Sequence, residues 1–350
     1  MKLSQFRLKI PAELIAQEPA TYRDDARMLV LHRKSGEIEH KKITDIISYF
    51  DDGDEFIFND TKVFPARLFG NKERTGANIE VFLLRELNSQ LRYWDVLVDP
   101  ARKIRIGNKL FFDDSNTIVA EVIDNTTSRG RTLRFLSDYT GEDFRNRLFA
   151  LGKTPLPSYI NRPATEEDAE RYQTIFASKE GAVAAPATGL HFSKTLLKRM
   201  EIRGIGYDFL TSHIGLGCFK DIEVEDLTKH KMESEQIEIS EALAEKIDML
   251  HERGSKICAI GTDVMRALET VVGTNGHVKS YKGWTNKFIY PPYEFSVANA
   301  FLTNLYFSQS TQLIMAAAFG GYEETLHAYD IAIEEGYRFG DYGDAMLIVE

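Results

Sequence analysis

Hydrophobic and polar positions along the chain keep changing period, and each change predicts a different element. In RMLVLHRKSGEIEHKKI (27 to 43) two strand-like runs flank Ser35-Gly36, which predicts a hairpin. TDIISYF after it reads as a short helix and DEFIFN as a buried strand. From about 62 to 136 the helical period disappears. NIEVFLLREL, LRYWDVLVD, KLFFDD, TIVAEVID and RTLRFL are strand candidates set close together, with Asn, Asp and Gly between them. Such spacing predicts a small antiparallel barrel or sandwich.

The helical period then returns. GEDFRNRLFALG reads as a helix, KTPLPSYINRP as an extended, proline-punctuated connector, and TEEDAERYQTIFA as a helix with Thr165 as its N-cap. SKTLLKRM predicts a further helix with Ser193 as its cap. Beyond it strands and helices alternate: SEQIEI, then the helix SEALAEKIDMLHERG, the strand KICAIG and the helix DVMRALETVV. Alternation of this kind predicts an α/β layer with parallel pairing. The expected architecture is an α/β core domain, a mixed sheet with helices built from both ends of the chain (1–61 and 150–350). A small antiparallel β-barrel domain (62–149) is inserted into it.

Composition narrows the class. The chain has 350 residues, 43% hydrophobic and 27% charged, as expected of a soluble globular protein. Its start carries charges and a proline, unlike a signal peptide, and no apolar run approaches the roughly 20 residues of a membrane span. Cys218 and Cys258, without CxxC partners, point to neither a disulfide framework nor a zinc site, which leads us to expect a reducing cytoplasm. The formal net charge of −10 argues against non-specific nucleic-acid binding by the whole chain. It is unevenly spread: from Lys62 to Arg134 there are 13 Lys/Arg against 9 Asp/Glu, a net of +4 that leaves −14 for the rest. Arg102, Lys103, Arg105 and Lys109 in ARKIRIGNK, with Arg129 and Arg131 in SRGRTLR, concentrate the excess. They are either a solvated strand surface or a phosphate-facing patch.

Candidate chemistry is spread over five stretches. APATGLHF (185 to 192) sets His191 after a proline, small residues and a glycine, either as a reactive group on a rigid turn or as a hydrogen-bonded plug. In KICAIGTDVMRALE a helix N-terminus follows a strand, with no GxGxxG or GxxxxGK[ST] in it. Asp263 there either complements the helix dipole or accepts hydrogen bonds from ribose hydroxyls. FLTSHIGLGCFKDI ends a strand at His213 and continues in a flexible Gly215/Gly217 loop, making His213 an acid/base candidate or a backbone satisfier. The rings of GWTNKFIYPPYEF could stack on a nucleobase or plug a corner. YRFGDYGDAMLIVE gathers Arg338, Asp341, Tyr342 and Asp344 near the C-terminus, as an ion-pair network or a clamp for a ligand carboxylate.

The order of these stretches resembles one family. LIAQEPATYRDDARMLVL, FNDTKVFPARLFG, APATGLHF, GLGCFKDI, HKMESEQ, GWTNKFIYPPYEF and YRFGDYGDAMLI together resemble the S-adenosylmethionine:tRNA ribosyltransferase-isomerases of queuosine biosynthesis, from end to end of the chain. The resemblance implies an α/β core with an inserted β-barrel. It also implies transfer of the ribosyl part of S-adenosylmethionine onto the aminomethyl group of a 7-deazaguanine at the tRNA wobble position. Rearrangement gives epoxyqueuosine, with adenine and methionine released, and no metal or further cofactor. The partners it implies are S-adenosylmethionine and the precursor tRNA; no membrane and no protein partner are expected.

On that resemblance His191, His213, Asp263 and Arg338 are the catalytic candidates. Asn59, Asp60, Arg67, Thr188, Gly189, Gly215 and Gly217 are substrate-binding candidates from the matching stretches. Arg266, Tyr293, Asn304, Tyr306, Tyr342 and Asp344 complete that set, and the six basic residues of the insert are the RNA-binding candidates. The chemistry asks for a base beside the carbon that the sulfonium acidifies, carboxylates or aromatic faces around the cation, and a proton donor for the departing adenine.

Some positions depart from the family pattern. Ala187-Thr188 stands swapped, Asp263 replaces a small hydroxyl residue, Tyr306 a histidine, Ser308 a proline, Ser212 an apolar residue and Cys218 a threonine. A tyrosine, with a pKa of about 10, does not replace a histidine in proton transfer at neutral pH. These departures motivate a second expectation, a family-fold paralogue with lost or altered catalysis that binds tRNA or a nucleoside.

Overall fold

The computed structural model describes residues 1–274 and 276–350, the side chains of Cys218 and Phe219 excepted. The chain forms two compact units: Met1–Lys62 with Pro157–Arg162 and Arg171–Glu350, and Val63–Leu156 with Pro163–Glu170.

The larger unit is built on a mixed sheet of nine strands among the described residues. In spatial order they are Tyr281–Thr285, Glu235–Ile239, Gly206–His213, Glu55–Asn59, Ile257–Ile260, Ala300–Asn304, Ala345–Val349, Arg27–His32 and Ile38–Lys42. Ile257–Ile260 is parallel to both its neighbours, Glu55–Asn59 and Ala300–Asn304, as the strand–helix alternation predicts, and Arg27–His32 is parallel to Ala345–Val349. Glu235–Ile239, read in the same alternation, instead pairs antiparallel on both sides. The C-terminal strand, however, runs antiparallel to Ala300–Asn304. Arg27–His32 and Ile38–Lys42 form the expected hairpin, and Gly36 takes the left-handed φ of +76° that its turn requires.

Period-two alternation sorts the strands' side chains into two cores. Leu29, Leu31, Ile57, Ala259, Phe301, Met346 and Ile348 face one side, against the helices Glu241–Arg253, Thr262–Val271, Thr311–Gly320 and Tyr322–Glu334. Met28, Val30, Phe56, Phe58, Cys258, Leu302 and Leu347 face the other, with the 3₁₀ segment Ile43–Tyr49 and the helix Lys194–Ile202. Both faces are covered, so the central strands are apolar throughout rather than alternating with polar residues. TDIISYF forms a 3₁₀ rather than an α-helix, and GLGCF closes into a 3₁₀ turn at Leu216–Phe219 where an open loop was expected.

The smaller unit contains a closed antiparallel barrel of six strands among the described residues: Gly130–Leu136, Tyr93–Asp99, Asn78–Asn88, Arg67–Lys72, Lys109–Phe111 and Val119–Asn125. Arg67–Lys72 joins the strands read from periodicity; it begins within NDTKVFPARLFG and runs two residues past it. The interior is filled by Leu68, Val81, Leu83, Val96, Val98, Val122 and Leu133, all buried. Closure removes the free edges that a short open sheet would leave. The helix Gly141–Leu151 belongs to the same unit.

Candidate functional site

A cleft of about 250 Å³ opens within the larger unit. Its walls come from the connector around Tyr159, the segment Ala184–Thr188, the turn after His213, the start of the helix Thr262–Val271, residues 287–289, and 306–312 with Asp341. The distant stretches that carry the candidate chemistry therefore supply the walls of one cavity.

Asp263 stands on the cleft at the first turn of its helix, and Thr262 and Thr188 line the same cleft. Gly261 before it has φ +102°, and a Cβ there would lie 2.4 Å from the Asp263 carboxylate, so only glycine lets the carboxylate fold back over the turn. The carboxylate accepts from Asn59 Nδ2 and from the backbone N–H groups of Asp263 and Val264. Burial nevertheless outweighs these bonds and pushes the group up to about 6. Asn59 is fully used: it also donates to Ser212 O at 2.8 Å and accepts from Ser212 N at 2.9 Å and Thr61 N at 3.0 Å.

One turn further along the helix, Arg266 pairs with Glu235, both buried and both on the cleft. Glu235 also takes the Gly215 N–H at 3.0 Å, which fixes the loop that carries Gly217 to the cleft. On another wall lies Asp341. Its carboxylate accepts from Tyr172 Oη at 2.6 Å and is hydrogen-bonded to Tyr159 and Tyr306, while burial pushes it above the usual carboxylate range. Tyr159, Tyr306, Phe288 and Phe307 give the cleft aromatic faces.

Thr188, Gly217, Asp263, Arg266 and Tyr306 thus border the cleft as anticipated candidates. His191 does not. It is buried on the 3₁₀ turn Ala187–His191 and borders instead a small cavity of about 20 Å³ shared with Tyr342 and Asp341. Asn304 donates through Nδ2 to Gly340 O at 2.9 Å and Asp341 O at 3.1 Å. That leaves Asn304 Oδ1 as an acceptor, so His191 Nε2, 3.0 Å away, carries the proton. Burial lowers the His191 pKa, which keeps the ring neutral. Gly189 lies in the same turn, where its N–H closes onto Pro186 O at 2.8 Å.

The remaining candidates stand apart from the cleft lining. His213, half-buried, packs against Gly181, where a Cβ would come within 2.7 Å of the ring, and its Nδ1 lies 2.7 Å from Thr61 Oγ1. Asp60 is held by Thr211 Oγ1 at 2.6 Å and Ser178 Oγ at 3.1 Å. Arg338 uses its N–H on Asp344 Oδ2 at 2.8 Å and its guanidinium on Glu18 O at 3.3 Å. Asp344 also accepts Arg27 N at 2.9 Å, a role in tying down the C-terminal strand. Tyr293 donates to Glu269 at 3.1 Å and receives Lys287 Nζ at 3.0 Å, a polar anchor for the proline corner. Tyr342 packs edge-on against Tyr172, ring centroids 5.8 Å apart.

In the barrel unit Arg67 pairs with Glu80 and donates to Leu156 O at 3.2 Å. Arg102, Lys103, Arg105, Lys109 and Arg129 are exposed. Arg131 is a correction to the basic patch: its buried guanidinium clamps Ile104 O at 3.0 Å, Ala101 O at 2.8 Å and Gly130 O at 2.7 Å, so it holds loops instead of facing solvent.

Sequence reasoning missed Glu235, Tyr159 and Lys287 and gave Asp341 only a place in a C-terminal cluster. Several departures from the family pattern are wired into the structure. Tyr306 bonds Asp341, Asp263 bonds Asn59, and Ser308 Oγ accepts Leu8 N at 2.9 Å. The departure at Cys218 falls on a side chain outside the described residues.

Comparison with known proteins shows the family. The family model for queuosine biosynthesis proteins matches residues 3–348. The chain is 63% identical over its whole length to an S-adenosylmethionine:tRNA ribosyltransferase-isomerase of Bacteroides fragilis, and 58% to that of Flavobacterium psychrophilum, covering 100% of both relatives. The crystal structure of the S-adenosylmethionine tRNA ribosyltransferase of Thermotoga maritima matches with a TM-score of 0.56 at 31% identity, over 99% of this chain and 100% of that one. Matched along almost its entire length by sequence and by structure, the chain belongs to the queuosine biosynthesis protein family.

Proposed function

We propose that the chain is an S-adenosylmethionine:tRNA ribosyltransferase-isomerase. It moves the ribosyl part of S-adenosylmethionine onto the aminomethyl group of a wobble-position 7-deazaguanine and isomerises it to epoxyqueuosine, with adenine and methionine leaving. One observation carries the reading to the site. The cleft holds two buried carboxylates, Asp263 and Asp341, neither ion-paired among the described residues, amid aromatic faces. Leaving an anion buried without a counter-charge is costly, and a sulfonium relieves that cost.

In this chain Asp263, which stands where the family pattern has a small hydroxyl residue, takes the role of base for the ribose carbon next to the sulfonium. The C–H bond breaks, the proton passes to the carboxylate, and the electron pair stays on the carbon that the sulfonium stabilises. A group near 6 is ionised at neutral pH yet more basic than an ordinary carboxylate, which suits that step. The Arg266–Glu235 pair presents a guanidinium at the cleft for the amino-acid carboxylate of the substrate. His191 is a positioning residue: through Asn304 it fixes the carbonyls of Gly340 and Asp341, and with them the wall behind the substrate. Exposed Arg102, Lys103, Arg105, Lys109 and Arg129 hold RNA phosphates without sequence preference. The reaction runs in the cytoplasm and calls on no metal or additional cofactor.

The test is the release of free adenine when purified protein meets S-adenosylmethionine and precursor-bearing tRNA. Release that requires both substrates is expected. No release under conditions where the Bacteroides fragilis relative turns over would contradict the reading.

A further inference from the structure

Asp341 is held from several directions at once. Tyr172 Oη donates to its Oδ2 at 2.6 Å, Tyr159 and Tyr306 bond the same carboxyl, and Tyr159 Oη in turn accepts the Asp341 N–H at 2.9 Å. Its backbone carbonyl is fixed by Asn304 Nδ2 at 3.1 Å, and Asn304 by His191. Three phenols stabilise a carboxylate but do not neutralise it. No cationic side chain completes an ion pair with it among the described residues. The other ionisable groups nearby are His191, Arg23 and Arg171 around the small cavity behind it. The same cleft is lined by Asp263, Lys287, the Arg266–Glu235 pair, Lys220 and Asp221.

The reaction brings two cations into this cleft, a sulfonium and the ammonium of the aminomethyl base, and two of its carboxylates, Asp263 and Asp341, are buried without an ion pair among the described residues. Asp263 already accepts from Asn59 and two backbone N–H groups at a helix N-terminus. We propose that Asp341 receives the ammonium of the incoming aminomethyl base and acts as its proton acceptor. This rests on the functional reading above. An N–H bond of the ammonium breaks and its proton passes to an Asp341 oxygen. The electron pair left on nitrogen makes the amine a nucleophile, the form in which it can enter the ribosyl transfer. Tyr306, where the family resemblance expects a histidine, is one hydrogen bond away from that carboxyl.

The experiment uses anticodon stem-loop RNAs carrying either 7-aminomethyl-7-deazaguanine or guanine at the wobble position, with affinity measured at neutral pH. Wild type is expected to prefer the aminomethyl RNA by about tenfold, as loss or gain of a buried charge contact commonly gives. Asp341→Asn loses that preference and keeps its affinity for the guanine RNA. Tyr306→Phe keeps the preference, but with one hydrogen bond to the carboxylate gone, the acidic limb of kcat/KM for tRNA moves to higher pH. A wild type without preference, an Asp341→Asn that retains it, or an unmoved limb in Tyr306→Phe would overturn the proposal. Should Asp341→Asn fail to fold by circular dichroism, the Tyr306→Phe profile decides. Adenine release by the same wild-type preparation separates the two readings. Without it the functional reading itself fails; with it, a failed preference test removes only the role of Asp341.

Discussion

Asp263 concentrates the chemistry of the cleft in one ionisable group, and its cost is measurable. Its pKa rises from 3.8 to about 6 because burial disfavours the carboxylate more than Asn59 and the helix N–H groups favour it. Between those two values the folded chain binds a proton that the unfolded chain has released, so this group's contribution to stability falls as pH rises from about 4 to 6. Asp263→Asn cannot ionise. It should therefore gain on wild type by up to about 3 kcal/mol between pH 4 and pH 7, read from urea midpoints. A stability difference that stays constant over that range would show that the carboxylate is not desolvated in the fold. At this scale the sequence shows single residues but not their encounters. Asp263 and Arg266 are readable because both sit on one predicted helix start. The partners of Asp341 are not, since Tyr172 and Tyr159 lie 169 and 182 residues away along the chain.

At the scale of elements, local chemistry and periodicity account for most boundaries. Ser193 caps the helix Lys194–Ile202 by accepting Leu196 N at 3.0 Å, and it donates to Asp24 Oδ2 at 2.6 Å, tying the helix start to the N-terminal segment. Ser193→Ala should lower stability by about 1–2 kcal/mol in chemical denaturation, while Ser193→Asp, which restores the acceptor but meets Asp24, should recover only part. An unchanged midpoint in Ser193→Ala would deny the cap any weight. The hairpin at Gly36 and the strand Glu55–Asn59 are readable in the same way. The helix Thr311–Gly320 is not: Leu313, Ile314, Met315, Ala316, Ala317 and Phe319 are all buried, so it has no polar face to reveal a period of 3.6. The barrel strand Arg67–Lys72 is equally hard to read, because Gly70 interrupts it where Phe111 O approaches too closely for any Cβ.

Over the whole molecule, a net charge of −10 coexists with an exposed basic cluster on the barrel. Phosphate binding by that cluster predicts steep salt dependence of tRNA affinity. Replacing Lys103, Arg105 and Lys109 together by Ala should reduce the slope of log affinity against log salt by roughly 2–3, with adenine release at saturating tRNA preserved. A slope unchanged by the triple substitution would move the RNA contact off this face. The mixed sheet with its helices and the antiparallel barrel follow from the alternation of periods along the chain. The cleft does not follow from it, because it is assembled from loops whose separations in sequence carry no period. The central claim is ribosyl transfer from S-adenosylmethionine to tRNA by this chain, and nucleoside analysis of precursor tRNA after reaction tests it most directly. The account predicts epoxyqueuosine in the digest, one molecule formed for each adenine released. Adenine release with the precursor nucleoside left unchanged would contradict it.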